Sequence, residues 1–319
     1  MYAMLPIFMA LQLALAARVY SYMAGVPMGI TEFFGIPIQM GTTGAELVGA
    51  TISAGIWLGM GIIFGHELAH TKKGFTFWLA RWTMALSGAA SFCFAHVYNH
   101  HTDLGTDDDP ATAPRGRNLY KHTVISFLGQ SKFAYRLEKG RLNRRKTPFF
   151  SPQNRWLRGY AMSIPTVALF FWAGGWIGIV SMLAIWAIAN LELEALNYME
   201  HYGLIREKGA PIEYRHSWDN STMLTGMAFI EIGRQADHHD RGETSFWNLQ
   251  PVGAPDTGWG YLTLFPLTLT PPLWHAYMKR KLAEWDRDFA SPEEKALAAQ
   301  VNRQVGYPVV ESSGKAAAA

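Results

Sequence analysis

Thirty-three consecutive residues, Gly159 to Leu191, carry no charged side chain, and this run constrains the fold more than any other feature of the chain. A hydrocarbon core of ~30 Å is crossed by about 20 helical residues. The run is therefore too long for one crossing and slightly short for two. Gly174 and Gly175 supply a turn inside it, so helices over roughly 157–173 and 176–199 are expected to form an apolar hairpin. A second stretch, Leu47 to Gly65, runs 19 residues without a charge. A soluble bundle rarely needs such lengths, and a chain with 49% hydrophobic and only 17% charged residues points to a membrane protein.

Two further spans are expected near 2–24 and 43–65, joined by a short loop with Gly35, Pro37 and Gly41. Met1 to Ala17 lacks a basic leader and reads as a retained span rather than a cleaved signal. The expectation is an all-α membrane protein of about four transmembrane helices plus interfacial helices. One domain covers 1–311, with 312–319 a disordered tail or vector-derived remnant. Of the 28 Lys and Arg residues, 12 lie between Arg115 and Arg158, including Arg144, Arg145 and Lys146. The positive-inside rule makes that segment cytoplasmic. Little aromatic interleaving separates it from a nucleic-acid patch, so no nucleic-acid partner is expected. The single cysteine, Cys93, excludes an internal disulfide and a thiolate metal cluster, and reads as a small buried hydrophobe.

Eight of the eleven histidines fall into four compact groups. His66 and His70 stand at i, i+4, which puts both on one helix face. His96 and His100 repeat that spacing with His101 beside them, His201 follows the fourth span, and His238 and His239 are adjacent. A lone histidine on an apolar helix is usually a satisfied core residue, but four groups together require another explanation. Imidazole suits iron, zinc and copper, and each ion takes four to six donors, so eight histidines suffice for two ions. His66, Glu67 and His70 also match a zinc-protease spacing, which leaves the other histidines without a purpose. If Phe75 to Ala95 crossed the bilayer, the first two groups would lie on opposite membrane faces and could not share a centre. With Lys72 and Lys73 before it and Arg81 within it, that stretch is expected to be interfacial. Trp259 to Met278, interrupted by Pro266, Pro271 and Pro272, is likewise a broken interfacial segment.

The four groups HELAH, HVYNHH, NYMEHYGL and RQADHH resemble the boxes of the integral-membrane alkane and xylene monooxygenases, within the wider membrane desaturase and hydroxylase superfamily. NYMEHYGL is the most specific of them. Similarity continues through HSWDN at His216 to Asn220 and PPLWHAY at Pro271 to Tyr277, and the segment from Trp285 to Pro308 is closer to the xylene enzymes. The resemblance implies a non-haem centre of two iron ions and O₂ as cosubstrate. It also implies a hydrophobic hydrocarbon substrate, an n-alkane or alkylbenzene, hydroxylated at a terminal or benzylic methyl. Electrons would come from a rubredoxin or a ferredoxin-type reductase, and the site would sit on the cytoplasmic side of a bacterial-type inner membrane. The implied ligands are His66, His70, His96, His100, His101, His201, His238 and His239. Two departures from the family pattern stand out. The family usually carries an additional N-terminal hydrophobic hairpin, and this sequence begins at about the point where that hairpin would end; Gln235 stands where a ninth histidine is usual. Gln235 is a candidate weak ligand through its carbonyl oxygen, or leaves a position for water or O₂.

Around the ligands, Glu67, Glu200 and Asp237 are expected to accept imidazole N–H bonds, and His216 to lie near the ligands or at the entrance. Glu194, a carboxylate inside a span, and Asn197 are functional candidates. His122 and His275 are expected at the surface or interface. Leu58 and Ile62, one and two turns before His66, are candidate linings of a substrate channel. The basic 115–158 segment is a candidate dock for an acidic electron-transfer protein. A fatty-acid desaturase or carotenoid hydroxylase would use the same metal. A membrane metal-binding or transport protein would place its ligands within the spans rather than at helix ends.

Overall fold

The computed structural model describes residues 1–26, 32–37, 41–71 and 74–310. Lys72, Lys73 and the tail from Ser312 onward lie outside the described residues. Among the described residues the regular elements are helices, apart from a two-residue antiparallel pair, β1 (Glu32–Phe33) and β2 (Ile36–Pro37). It divides into two compact units, one of residues 1–95 and 130–193, the other of 96–129 and 194–319.

The first unit holds α1 (Met4–Ala24), α2 (Gly44–His70), α3 (Gly74–Leu86) and α4 (Phe92–Ala95). It also holds the end of α6 (Leu119–Arg144), α7 (Arg155–Ala161) and most of α8 (Ile164–His201), and the short helix α5 (His101–Asp103) precedes α6 in the second unit. Three stretches are long and apolar enough to cross a membrane: Met4–Ala24, Gly44–His70 and Arg155–His201. Helix α2 starts at a capping box in which Glu46 N–H donates to Thr43 Oγ1 and Thr43 N–H donates to Glu46 Oε2. It runs past the expected end at 65 to include both histidines of the first box. Glycines let its neighbours close in: a β-carbon on Gly61 would overlap the Phe8 ring, and one on Gly55 would lie 2.7 Å from Ile188 Cβ.

The expected hairpin is present. Gly174 and Gly175 leave helical geometry, with φ at Gly175 of 54°, a left-handed value that glycine adopts without strain. Both limbs bind consecutive carbonyls at the end of α3. Ser163 Oγ donates to Ala85 O at 2.9 Å, Trp186 Nε1 to Leu86 O at 2.7 Å, and Asn190 Nδ2 to Ser87 O at 2.9 Å. A straight helix would separate residues 163 and 190 by ~40 Å. Gln12 joins the same layer, donating to Leu86 O and accepting from Thr166 Oγ1, so its amide is satisfied inside an apolar span.

Helix α3 has 13 residues, about 20 Å, and does not cross a hydrocarbon core. The chain turns at Gly88, φ 74°, and comes back so that Phe92 lies 6.2 Å from the His66 ring. His96 therefore follows four residues after a neighbour of the first box.

The second unit contains a π-helical turn (His96–His100), α5, α9 (Met223–Ala228), α10 (Gln235–Asp240), α11 (Tyr261–Thr268), α12 (Pro271–Asp288) and α13 (Pro292–Val305). The proline-interrupted segment is broken between α11 and α12, as its sequence requires. Arg115 lies at its centre. The buried guanidinium donates to Gly203 O at 2.8 Å, to both Asp286 oxygens at 2.6 and 2.8 Å, and to Asn302 Oδ1 at 2.8 Å. This pairing ties the end of α8 to α12 and α13, and it removes Arg115 from the basic surface expected of that segment. Arg141 and Arg155 are likewise paired with Glu138 in the first unit, whereas Arg144, Arg145 and Lys146 are exposed.

Candidate metal centre

The second box departs from the expected α-helical spacing. In a π-helix the backbone pairs i with i+5, so the residue beneath His96 is His101, not His100. The two imidazoles meet with Nε2 atoms 3.1 Å apart. His100 is turned into a different group.

Two sets of histidines result within the second unit. The candidate ligand atoms of His100, His201 and His239 all lie within 4.8 Å of one another, and those of His96, His101 and His238 do the same. His100, from the π-turn, stands 4.7 Å from the His201 ring at the end of α8 and 4.9 Å from the His239 ring of α10. In the first unit His66 and His70 face each other one turn apart on α2, Nε2 to Nε2 3.3 Å. All eight histidines therefore converge with at least one other, and only His101 is more than marginally exposed.

The donor chemistry of the His100, His201 and His239 set fits a metal. Both ring nitrogens of His239, Nε2 of His100 and one ring nitrogen of His201, whose other nitrogen meets the His216 backbone, are buried with no hydrogen-bond partner among the described residues. Unpartnered nitrogens of this kind are expensive unless something binds them. Burial, reinforced by neighbouring imidazoles, pushes His239 well below its usual range, and burial with His100 nearby pushes His238 down to about 4. His238 and His239 are thus neutral at physiological pH, with lone pairs available for coordination.

His100 is oriented by a residue that sequence reasoning missed. Asp109 Oδ2 accepts from His100 Nδ1–H at 2.7 Å and from Thr112 Oγ1 at 2.7 Å, and Oδ1 accepts from Ala111 N–H at 3.0 Å. Burial alone would raise this carboxyl, but the His100 interaction and these hydrogen bonds hold it at about 2. An ionised Asp109 fixes the Nδ1–H tautomer, so the Nε2 lone pair points away from it into the group. The sequence signal was available as an aspartate nine residues beyond a candidate ligand, but three consecutive aspartates, Asp107 to Asp109, gave no way to choose among them.

The surrounding candidates are placed as follows. Asp237 receives Arg241 and the Gln250 N–H, which pins the loop after α10. Glu200 lies beside the side chains of Gln235 and Tyr261, and Glu67 is buried on α2. Gln235 opens α10 one turn before His238 and His239, and its Oε1 is buried without a donor. The start of α10 is anchored by Asp219, whose Oδ1 accepts from Ala236 N–H at 2.8 Å.

His216 stands beside the ligands, its backbone hydrogen-bonded to His201, without being one of them, and His122 departs from expectation. His216 has both nitrogens occupied: Nδ1 accepts from Glu213 N–H at 2.9 Å, so Nε2–H donates to Glu294 at 2.7 Å. It fastens α13 and has no lone pair left for a metal. His122 is not superficial. It is fully buried against Tyr198, with Nε2 3.8 Å from Glu194, and burial beside Arg117 pushes it down to about 3. Leucine patterning in α6 hid this, since a helix half polar gives no sign of which polar residue turns inward. His275 is half-buried, near Arg117 O. Asn197 donates to Glu194 at 3.4 Å, and Leu58 and Ile62 are fully buried on α2.

Apolar helices of membrane-crossing length with buried imidazoles at their ends define a helical membrane protein of the histidine-box metalloenzyme class. The chain belongs to the fatty acid desaturase family, whose sequence pattern matches residues 43–265. It is 31% identical over 277 residues to the alkane 1-monooxygenase of Pseudomonas putida, covering 84% of this chain and 69% of that one. It is 32% identical over 260 residues to alkane 1-monooxygenase 1 of Pseudomonas aeruginosa, covering 79% and 67%. The hydroxylase component of xylene/toluene monooxygenase of Pseudomonas putida aligns over 299 residues at 28% identity, covering 88% and 81%. The chain is accordingly an oxidoreductase of the monooxygenase type.

Proposed function

We propose that this enzyme is an integral-membrane diiron monooxygenase that inserts one oxygen atom from O₂ into a terminal or benzylic methyl group of a hydrocarbon. The observation that carries the metal is the set of buried, unpartnered nitrogens on His100, His201 and His239. Those three histidines would hold one ion. His96, His101 and His238 would hold the other, Gln235 is a candidate further oxygen donor, and His66 and His70 are the remaining ligands that the resemblance implies. Bound iron would supply O₂ activation.

The protein's share of the chemistry is positional. Asp109 keeps the His100 proton on Nδ1, so Nε2 would be free to hold a metal. Low imidazole basicity at His238 and His239 prevents protonation from releasing the metal near neutral pH. Leu58 and Ile62 offer apolar surface on the helix that carries His66, so a substrate without polar groups would be held by burial and shape. Water exclusion by the same residues protects the oxidising step from side reactions.

Four spans, from α1, α2 and the two limbs of the hairpin, would form one catalytic domain over 1–311. The metal end would face the cytoplasm of a bacterial-type inner membrane, by the charge of the 115–158 segment. Electrons would arrive from a rubredoxin or ferredoxin-type reductase, docking at exposed Arg144, Arg145 and Lys146. The relatives named for alkane and xylene oxidation favour hydroxylation over desaturation.

The test is iron and zinc per chain in detergent-purified protein, followed by octane, p-xylene and a fatty acid with O₂ and an electron donor. About two irons, and an alcohol from octane or p-xylene, are expected. A desaturated fatty acid as the main product, or a chain that takes up no iron, would overturn the reading.

A further inference from the structure

Glu192 is a carboxylate inside the span Arg155–His201 that the sequence reading passed over. It is half-buried, and among the described residues no charged group and no hydrogen-bond donor acts on it. Ionisable groups at membrane depth are expensive, and where they occur without a partner they mark a functional position.

Its seat is specific. Ile188 and Glu192, one turn apart on α8, pack onto Gly55 and Gly59, one turn apart on α2. A β-carbon on Gly59 would overlap the Glu192 carboxyl, so only glycine leaves the room that the carboxyl occupies. Beside Gly59 and one turn from Ile62, the fully buried Leu58 surrounds this level with apolar surface. Seven residues separate Gly59 from His66 on the same helix, an axial distance of ~10 Å.

We infer that Glu192 is a specificity-determining residue that binds the polar head of an amphiphilic substrate while the far end of its chain reaches the metal. The inference rests on the proposed methyl hydroxylation. A hydroxyl head fits best, because it donates to a carboxylate, accepts from a carboxylic acid, and enters from the bilayer uncharged, whereas an ammonium would cross at a large electrostatic penalty. Extended single-bonded chains advance ~1.2 Å per bond. A span of ~10 Å therefore selects a primary alcohol of about eight carbons, hydroxylated at the opposite methyl.

The test compares 1-octanol with nonane, which differ by one hydroxyl in place of one methyl, in iron-loaded enzyme with an electron donor. At early turnover the products are 1,8-octanediol and 1-nonanol. The wild type is expected to favour the diol, and Glu192→Leu to lower the diol-to-nonanol ratio at least about tenfold, with Glu192→Gln retaining most of it. Independently of turnover, 1-octanol is expected to raise the wild-type melting temperature more than nonane does, a difference absent in Glu192→Leu. Glu192→Met, unbranched and of similar volume, serves if the leucine variant does not fold. A ratio within twofold of wild type, or nonanol formation without diol, would overturn the inference and leave the hydroxylase reading intact. Oxidation of neither compound by iron-loaded enzyme would instead overturn that reading, and the melting difference would still decide for or against Glu192.

Discussion

Substitution of Asp109 separates the metal's hold on the protein from the protein's own stability. Its two oxygens take three donors: His100 Nδ1–H, the Thr112 hydroxyl and Ala111 N–H. Asp109→Asn keeps an acceptor for His100 when the amide oxygen occupies the Oδ2 position, but it turns an N–H toward Ala111 N–H and removes the charge. The unmet donor costs about 1–3 kcal/mol of folding free energy. Loss of the charge lowers the basicity of His100 Nε2, and outer-shell losses of this kind weaken metal affinity about 10–100-fold, or roughly 1.4–2.7 kcal/mol. Asp109→Ala strands both His100 Nδ1–H and Ala111 N–H, because the Thr112 hydroxyl can rotate and they cannot, so it costs about 2–6 kcal/mol. The assay is anaerobic iron(II) titration against a competing chelator, paired with melting curves of the metal-free protein. Both variants are expected to bind iron more weakly than wild type, with Asp109→Ala also melting lower. A folded Asp109→Ala that binds iron as tightly as wild type would refute the orienting role, because the tautomer would then be set by something else.

Other outcomes follow from the same geometry. His239→Ala and His201→Ala each remove a ligand from one set and leave the other set whole, so iron content is expected to fall by about one per chain in elemental analysis. Gly61→Ala forces a methyl into the Phe8 ring and should destabilise by about 1–3 kcal/mol; Phe8→Leu in the same chain should restore the melting temperature. Glu294 is buried, and although burial raises a carboxyl, hydrogen bonds from His216, Arg215 and Ser291 N–H hold it at about 2. Its folded value is depressed, so its contribution is complete above pH ~4.3 and is lost as pH falls toward 2; Glu294→Gln should flatten that part of the melting profile. Neutralising Arg144, Arg145 and Lys146 together should reduce the salt dependence of electron transfer, and an unchanged dependence would remove them as the dock.

The spans and the boxes were legible because both depend on short-range pattern. Uncharged length fixes a crossing, Gly174–Gly175 fixes a reversal, and His66 with His70 fixes a helix face. What escaped depended on backbone geometry or on distant partners. An i, i+4 spacing at His96 and His100 reads as one face under the α-helical period, and nothing in the residues announces a π-turn. Asp109 became an orienting group only because the turn through Thr112 brings it under His100, nine residues back. His216 does stand beside His201, but that its ring fastens α13 became visible only with Glu213 and Glu294 on both its nitrogens. Glu192 was hidden by its neighbour Glu194, and its significance rests on a glycine more than a hundred residues earlier.

The π-turn between His96 and His100 has a consequence for how this segment can change. A π-turn holds one residue more than an α-turn of the same span, and that residue lets His100 and His101, adjacent in the chain, address different sets. Deleting one residue there would leave an α-turn in which His101, now four positions on, still lies beneath His96, while His100, now three positions on, swings toward the same face and away from its own set; inserting one would misalign both. Substitution by another side chain loses a single ligand, whereas a change of length by one redirects a ligand and rotates the chain that follows. Between His96 and His101 the chain therefore tolerates less variation in length than in composition.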